Sequence, residues 1–500
     1  MKVIIPKVTD LQSTNITENL SDWDTGTTYD PGEKKYVLIS DFDDLITNGD
    51  CFFNNFSTDG GEWAYNSTDT QYDCDGTQSV NSKLYQTIPT AKLIVGDQYL
   101  IQFEVAAYTA GNIAGYCAGT AGTNVSALGY YQQLVIASST DLKIGVIADA
   151  DFVGSISNIS VKKTGTNVQR DIYESQQSQS GNFPPIDDYT NWIRISASNR
   201  WKMFDDYVST QTENTKIIQT KVDSSRCDAV ALFGVEGKDI RIILVENSAN
   251  FYGTSSTSLT LEVGSKSLTA STTKQWEEGD LVEIESTVDN NDWMVGEVTA
   301  YDSGTGALIV NIDTFQGAGT FVSWCVRYVY QNEPYALYLS ESTSWTTYFF
   351  TEVRFSASFS KTFPLSLNSS CRIVITGSDD QTVRCGHALV GGSRYLGKTL
   401  YGISAGIISY RIQETNKYGD TYLAPGKSAK ELNFDFRVSN ESKDQVYQIM
   451  TQLDGIPCAW DANNDGEISM IAAYGVYDDF TEIMNSLNDT LVSLEIQGLT

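Results

Sequence analysis

Apolar residues fall at every second position in run after run of this chain. Leu432-Asn433-Phe434-Asp435-Phe436-Arg437-Val438 alternates without a break, and Gln98-Tyr99-Leu100-Ile101-Gln102-Phe103-Glu104-Val105 keeps the same beat for most of its length. Successive side chains of a strand point to opposite faces, so a period of two reads as half-buried β-structure. Gly, Ser, Asn and Asp punctuate the runs and supply the turns between strands. One stretch follows a different period. From Ser442 to Leu453, Val446, Ile449, Met450 and Leu453 share a helical face, with Ser442 as N-cap and Asp454-Gly455 as the stop. The class expected is mostly β: multidomain β-sandwiches and a small β-barrel, with an α+β C-terminal module.

Five hundred residues exceed what one hydrophobic core organises, so the chain is expected to divide into several domains. Trp23 to Val37 holds an aromatic pair, a Pro31-Gly32 turn and a strand, too little for a domain. Its continuation is Asp171-Ile172-Tyr173-Glu174-Ser175, Gly181-Asn182-Phe183-Pro184-Pro185 and Asn191-Trp192-Ile193-Arg194-Ile195. Residues 1–40 and 164–198 are therefore assigned to one split β module, interrupted by an insert at 41–163. Long insertions at exposed turns are tolerated because loop-closure entropy grows only with the logarithm of length. The insert has six or more short strands with turn signals between them, the pattern of a jelly roll. Beyond it, 199–261 with 329–390 is assigned to a β-sandwich. Residues 262–328, with Trp293–Val298 and Ala307–Val310 around Gly304-Thr305-Gly306, are assigned to a small barrel, and 391–500 to the C-terminal module.

The formal net charge is −30. Such a chain repels phosphates and anionic headgroups, so neither nucleic acid nor membrane insertion is expected. The short apolar run at Val3-Ile4-Ile5 is not a signal sequence, and nothing approaches the length of a membrane span. The eight cysteines show no C-x-x-C spacing and read mostly as buried thiols, with Cys51 and Cys74 the one pair to check.

Candidate chemistry concentrates in the insert. Sugar recognition needs flat apolar rings against C–H faces and amide or carboxylate groups for hydroxyls. The candidates are Trp63, Tyr65, Asn66, Tyr72 and Tyr130, the first two in an opening loop. Asp461-Ala462-Asn463-Asn464-Asp465-Gly466 matches the start of a calcium loop, but the twelfth position is Ala472 where a bidentate Glu is required, so it reads as a hairpin turn. His387, the one histidine, has no nucleophile-elbow pattern beside it and reads as structural. No catalytic residue, metal or cofactor is expected, and the chain is not read as an enzyme.

Three stretches resemble the structural proteins of tailed-bacteriophage tails and tail tips. They are the split module leading into Asn199-Arg200-Trp201-Lys202-Met203-Phe204-Asp205, the Trp293-Met294-x-Gly296-x-Val298 … Thr305-Gly306-x-Leu308 pattern, and Tyr474-Gly475-Val476-Tyr477-Asp478-Asp479-Phe480 through Leu494-Glu495-Ile496-Gln497-Gly498-Leu499. The insert is similar to carbohydrate-binding modules in its Asn48-Gly49 start and its Phe152–Val161 finish. The resemblance implies a virion tail component made in the host cytoplasm, a homo-oligomer among other phage tail proteins. Its glycan-binding-like module would face outward and aid attachment to a host surface glycan. The alternatives are a dedicated receptor- or glycan-binding protein and a polysaccharide-degrading enzyme.

Overall fold

The computed structural model describes every residue except 8, 60–62, 166, 180–184, 187, 208, 337–356, 363, 416, 417, 419, 420, 425, 463–471, 485–487 and 500. Among the described residues the protein is mostly β, built of several antiparallel sheets with one α-helix, Lys443–Gln452. The chain forms two compact units. The smaller comprises Asp10–Gln12 and Glu18–Ser198; the larger comprises Met1–Thr9, Ser13–Thr17 and Asn199–Thr500.

The smaller unit contains two five-stranded sheets. One runs in the order Thr120–Ala121, Ile113–Cys117, Lys143–Ala148, Ser82–Thr87, Ser57–Asp59. The other runs Gly129–Ile136, Gln98–Ala110, Val153–Lys163, Gln71–Asp75, Trp63–Asn66. Leu84, Ile113, Ile144 and Val146 from the first share a core with Tyr72, Ile101, Phe103, Val105 and Ile156 from the second, a sandwich-like arrangement. The alternation of Gln98–Val105 is thereby explained: Ile101, Phe103 and Val105 line the core, and Gln102 and Glu104 point away from it. A three-stranded sheet joins Lys34–Ile39 to Gln169–Ser175 and Trp192–Ala197, so chain on either side of residues 41–163 is paired directly. Trp23, Tyr29, Val37, Tyr173 and Trp192 form its core, with the rings of Tyr29 and Trp192 edge to face at 5.0 Å. The segment 181–184 lies outside the described residues.

In the larger unit, one long sheet runs Ala357–Thr362, Ala229–Val235, His387–Tyr395, Lys2–Pro6, Cys458–Asp461, Ala472–Met484, Asp489–Gly498, Ser428–Ser439. Leu432, Phe434 and Phe436 stand opposite Ile496, Leu494 and Val492 on one buried face. The helix lays Val446, Met450 and Leu453 on that core, with Ile449 partly covered. Its N-terminus departs from expectation. The Ser442 side chain makes no capping bond, and it is the Ser442 carbonyl that accepts from Val446 N–H at 3.1 Å. Gly455 takes φ +72 at the C-terminal exit, a left-handed conformation that glycine adopts without a Cβ penalty. The sheet under the helix includes Lys2–Pro6, so residues 391–500 share their core with the chain's first strand.

The second long sheet of this unit includes Ile217–Asp223, Ser369–Thr376, Asp239–Glu246, Trp324–Ala336, Leu281–Ser286, Trp293–Tyr301, Ala307–Gln316 and Gly264–Thr269, in that order. One of its faces packs Trp276, Val282, Ile284, Met294, Leu308, Val310 and Trp324, and on the other it curls into a half-barrel over Ile243, Val245, Trp293 and Val374. Trp324–Ala336 pairs with Leu281–Ser286 at one end and with Asp239–Glu246 at the other. The strands of 262–328 therefore continue into those assigned to the neighbouring sandwich. The curl is tight enough to bring Lys221 Nζ to 3.3 Å from Glu283 Oε2, although three strands lie between theirs in the sheet.

Candidate functional site

Four of the five residues singled out for sugar contact come together on one edge of the smaller unit. Trp63–Asn66 pairs with Gln71–Asp75 so that Tyr65 opposes Tyr72 and Trp63 opposes Cys74. Tyr130 is not among them. Its strand, Gly129–Ile136, is the opposite edge of the same sheet, and its ring packs on the Trp23–Trp192 cluster.

Each of the four spends its polar group on the protein. Trp63 Nε1 donates to Ser82 Oγ at 2.9 Å, and its ring tilts over Phe152. Asn66 closes a turn, accepting from the N–H groups of Thr68 and Asp69 and donating to Asp69 and Asp73. Tyr72 is 2% exposed, so its ring faces are given to packing. Its hydroxyl accepts from Asn55 N–H and Phe56 N–H and donates to Asn54 Oδ1, all at 3.0 Å. Burial pushes the phenol above its ordinary range. Tyr65 donates to the Phe52 carbonyl at 2.6 Å.

Four of these bonds end on one loop, residues 47–56, which is held from within as well. Asn48 Nδ2 donates to Phe53 O at 2.9 Å and Asn55 Nδ2 to Thr47 O at 2.6 Å. A bulge in Val153–Lys163, with Asn158 at φ +51, turns Ile159 N–H toward Gly49 O at 2.8 Å. A Cβ on Gly49 would fall 1.9 Å from Ile159 O, so this close approach requires glycine. Asn48 and Cys51 both sit at φ +57. Asn tolerates that region, whereas a buried Cys held there costs about 1–3 kcal/mol, which the surrounding contacts offset. What the loop displays is Phe52 and Phe53, 61% and 64% exposed, their rings edge to face at 4.9 Å. The sequence signal for them was an apolar pair set among turn-forming Asn, Gly and Asp.

The described residues of the remaining motifs are buried. His387 is buried, with Nδ1 2.7 Å from the Asp205 carbonyl and its ring stacked on Tyr474 at 3.7 Å. Burial lowers its pKa to about 4. Asp461 and Ala472 are opposed ends of two antiparallel strands, and residues 463–471 between them lie outside the described residues. All eight cysteines are buried, Cys51 and Cys74 included. Among the described residues no group of three His, Cys, Asp or Glu side chains could hold a metal ion.

One feature escaped the sequence reading: Lys221, Glu283, Glu285, Arg327 and Arg372 form a buried ionic cluster inside the half-barrel. Three cations meet two anions, and neither carboxylate reaches solvent, so a substrate has no access to them. The cluster ties together the strands that the curl brings face to face. The chain matches no protein-family model and no curated protein sequence.

Proposed function

We propose that this protein is a structural component of a bacteriophage tail, at the tail tip or as a distal tail adaptor, and that it works as a homo-oligomer. In this reading 1–40 and 164–198 form a split β module, and 41–163 is an inserted jelly roll of carbohydrate-binding type exposed on the particle. Residues 199–261 with 329–390 are a β-sandwich, 262–328 a small barrel, and 391–500 an α+β assembly module.

One observation carries the assembly reading. Within the larger unit, Ser404–Ser409 is an edge strand paired to Ser428–Ser439, and Ile412–Thr415 pairs with Thr421–Ala424 in a two-stranded hairpin. These segments leave Tyr401, Ile407, Ile412, Tyr422 and Leu423 more than half exposed. A lone two-stranded hairpin is marginally stable in water, and Ser404–Ser409 contains no charge or proline to deter pairing at its edge. Residues 400–427 contain three Lys or Arg and two Asp or Glu, a net charge of +1 in a chain of −30. An apolar, faintly basic arm complements the acidic surface of another copy of the chain.

Sedimentation of the full chain and of Ile407→Asp/Leu423→Asp tests this. The native chain is expected at one fixed copy number and the variant as monomer. A native chain that stays monomeric at tens of micromolar defeats the oligomer reading, and a cryo-EM map of the particle without this chain defeats the tail assignment.

A further inference from the structure

We infer that Phe52 and Phe53 form the stacking platform of a carbohydrate site that takes an uncharged sugar. The inference rests on the glycan-binding half of the reading above and names the surface that performs it. The residues first suspected, Tyr65 and Tyr72, act one step back, as positioning residues that fix the loop. Their hydroxyls hold the Phe52 carbonyl and the backbone at Asn55 and Phe56. Asn48 holds the Phe53 carbonyl.

Two exposed phenyl rings on a mobile loop would collapse or average over many positions. Here the loop is tied at both ends and in the middle, with Cys51 and Phe56 buried beneath it. The rings are therefore presented before any ligand arrives, and little ordering remains to be lost on binding. Amide groups flank them. Asn54, Ser57 and Thr58 are exposed and place hydrogen-bonding groups beside an apolar face, while the Asn55 amide is already taken by Thr47 and Asn48. That combination suits a sugar ring, with C–H bonds on one side and hydroxyls around the rim.

Charge selects among occupants. From Lys35 to Lys83 the sequence has no Lys or Arg between those two residues and nine Asp or Glu. Sulfated or sialylated glycans, nucleic acid and anionic lipid headgroups are all repelled by such a segment. A neutral hexose or N-acetylhexosamine polymer is not.

The test uses the full chain on an array of immobilised neutral hexose and N-acetylhexosamine oligosaccharides, with sulfated and sialylated counterparts beside them. Native protein is expected to bind neutral members. Phe52→Ala/Phe53→Ala should lower affinity by about tenfold or more with unfolding unchanged, because both rings are on the surface. Phe52→Tyr/Phe53→Tyr, which keeps the ring faces, should retain binding. If native protein binds and the alanine variant binds equally, the platform is elsewhere while the glycan reading stands. If native protein binds nothing neutral, or prefers the anionic members, the inference fails. Sedimentation still decides the assembly reading on its own.

Discussion

Arg372 Nε donates to Glu283 Oε1 at 2.8 Å in a place where neither side chain has any solvent exposure. The second arm of the guanidinium reaches Glu285 Oε2 at 2.7 Å, its Nη1 reaches the Asn290 carbonyl at 3.0 Å, and its plane lies over Trp293. Arg327 and Lys221 approach the same two carboxylates from other strands. Desolvation raises the Glu283 pKa, but the three cations outweigh it and hold the carboxyl well below its usual range. Lys221 goes the other way, its ammonium disfavoured by complete burial beyond what the carboxylates return.

The imbalance makes the cations unequal. Arg372→Met leaves two buried carboxylates short of a fork that satisfies both, and should cost about 3–5 kcal/mol. Lys221→Met leaves two cations facing two anions and removes the ammonium that burial penalises most, so its cost should be clearly smaller. Urea unfolding of the full chain, followed by tryptophan fluorescence, ranks the two. Both variants leave two cations on two carboxylates, so equal losses would mean that net charge alone, and neither the guanidinium fork nor the buried ammonium, sets the cost.

His387 gives the protein an acid-side stability limit. Its folded pKa is near 4 against an ordinary 6.5, so the fold favours neutral imidazole. Below pH 6.5 the unfolded chain takes up a proton that the folded one refuses. The associated stability is complete above about pH 6.5 and is lost as pH falls toward 4, amounting to about 2 kcal/mol by pH 5. With one histidine in the chain the assignment is unambiguous. Comparing unfolding at pH 7 and pH 5 for the native chain and His387→Asn should give a larger fall for the native chain. Parallel falls would remove His387 from the account.

The thiols should be silent until the protein unfolds. Burial lifts Cys51, Cys117, Cys371, Cys385 and Cys458 to about 12 and Cys227 to about 11, and only the thiolate reacts. At pH 8 a thiol reagent should therefore modify none of these six in the native chain, and all eight cysteines after denaturation without reductant. A shortfall after denaturation would reveal a disulfide.

Local features were legible in the sequence, and distant ones were not. The alternation of Leu432–Val438 and the helical face at Val446, Met450 and Leu453 are set by neighbours a few residues away, and both stand as read. The place of Lys2–Pro6 between His387–Tyr395 and Cys458–Asp461 depends on pairings across most of the chain, which no local pattern encodes. Glu283 and Glu285 alternate with Val282 and Ile284 as a solvent-facing row would. The curl of the sheet buries that row, and only the arriving Arg and Lys residues make it tolerable. Trp63, Tyr65, Asn66 and Tyr72 were found together because one hairpin holds them. Tyr130 was grouped with them by composition, and the sheet order separates it. Phe52 and Phe53 were passed over because their exposure follows from a loop conformation that depends on Tyr72, Asn48 and a bulge near Asn158.

Tyr72→Phe isolates that dependence. The substitution keeps the buried ring and removes one oxygen, which now accepts two backbone N–H groups and donates to Asn54. With the hydroxyl gone, Phe56 N–H is left buried without its acceptor, a loss of about 1–3 kcal/mol. If Tyr72 is a strut of the loop, amide hydrogen exchange should quicken across residues 47–56 and stay unchanged in the sheet strand Lys143–Ala148. Affinity for neutral sugar should fall although Tyr72 itself touches no ligand, and Phe52→Ala/Phe53→Ala in the same background should add little. Unaltered exchange in the loop would mean that its conformation is fixed by the Asn48, Asn55 and Gly49 contacts alone, and that Tyr72 is a core residue with no part in presenting the two rings.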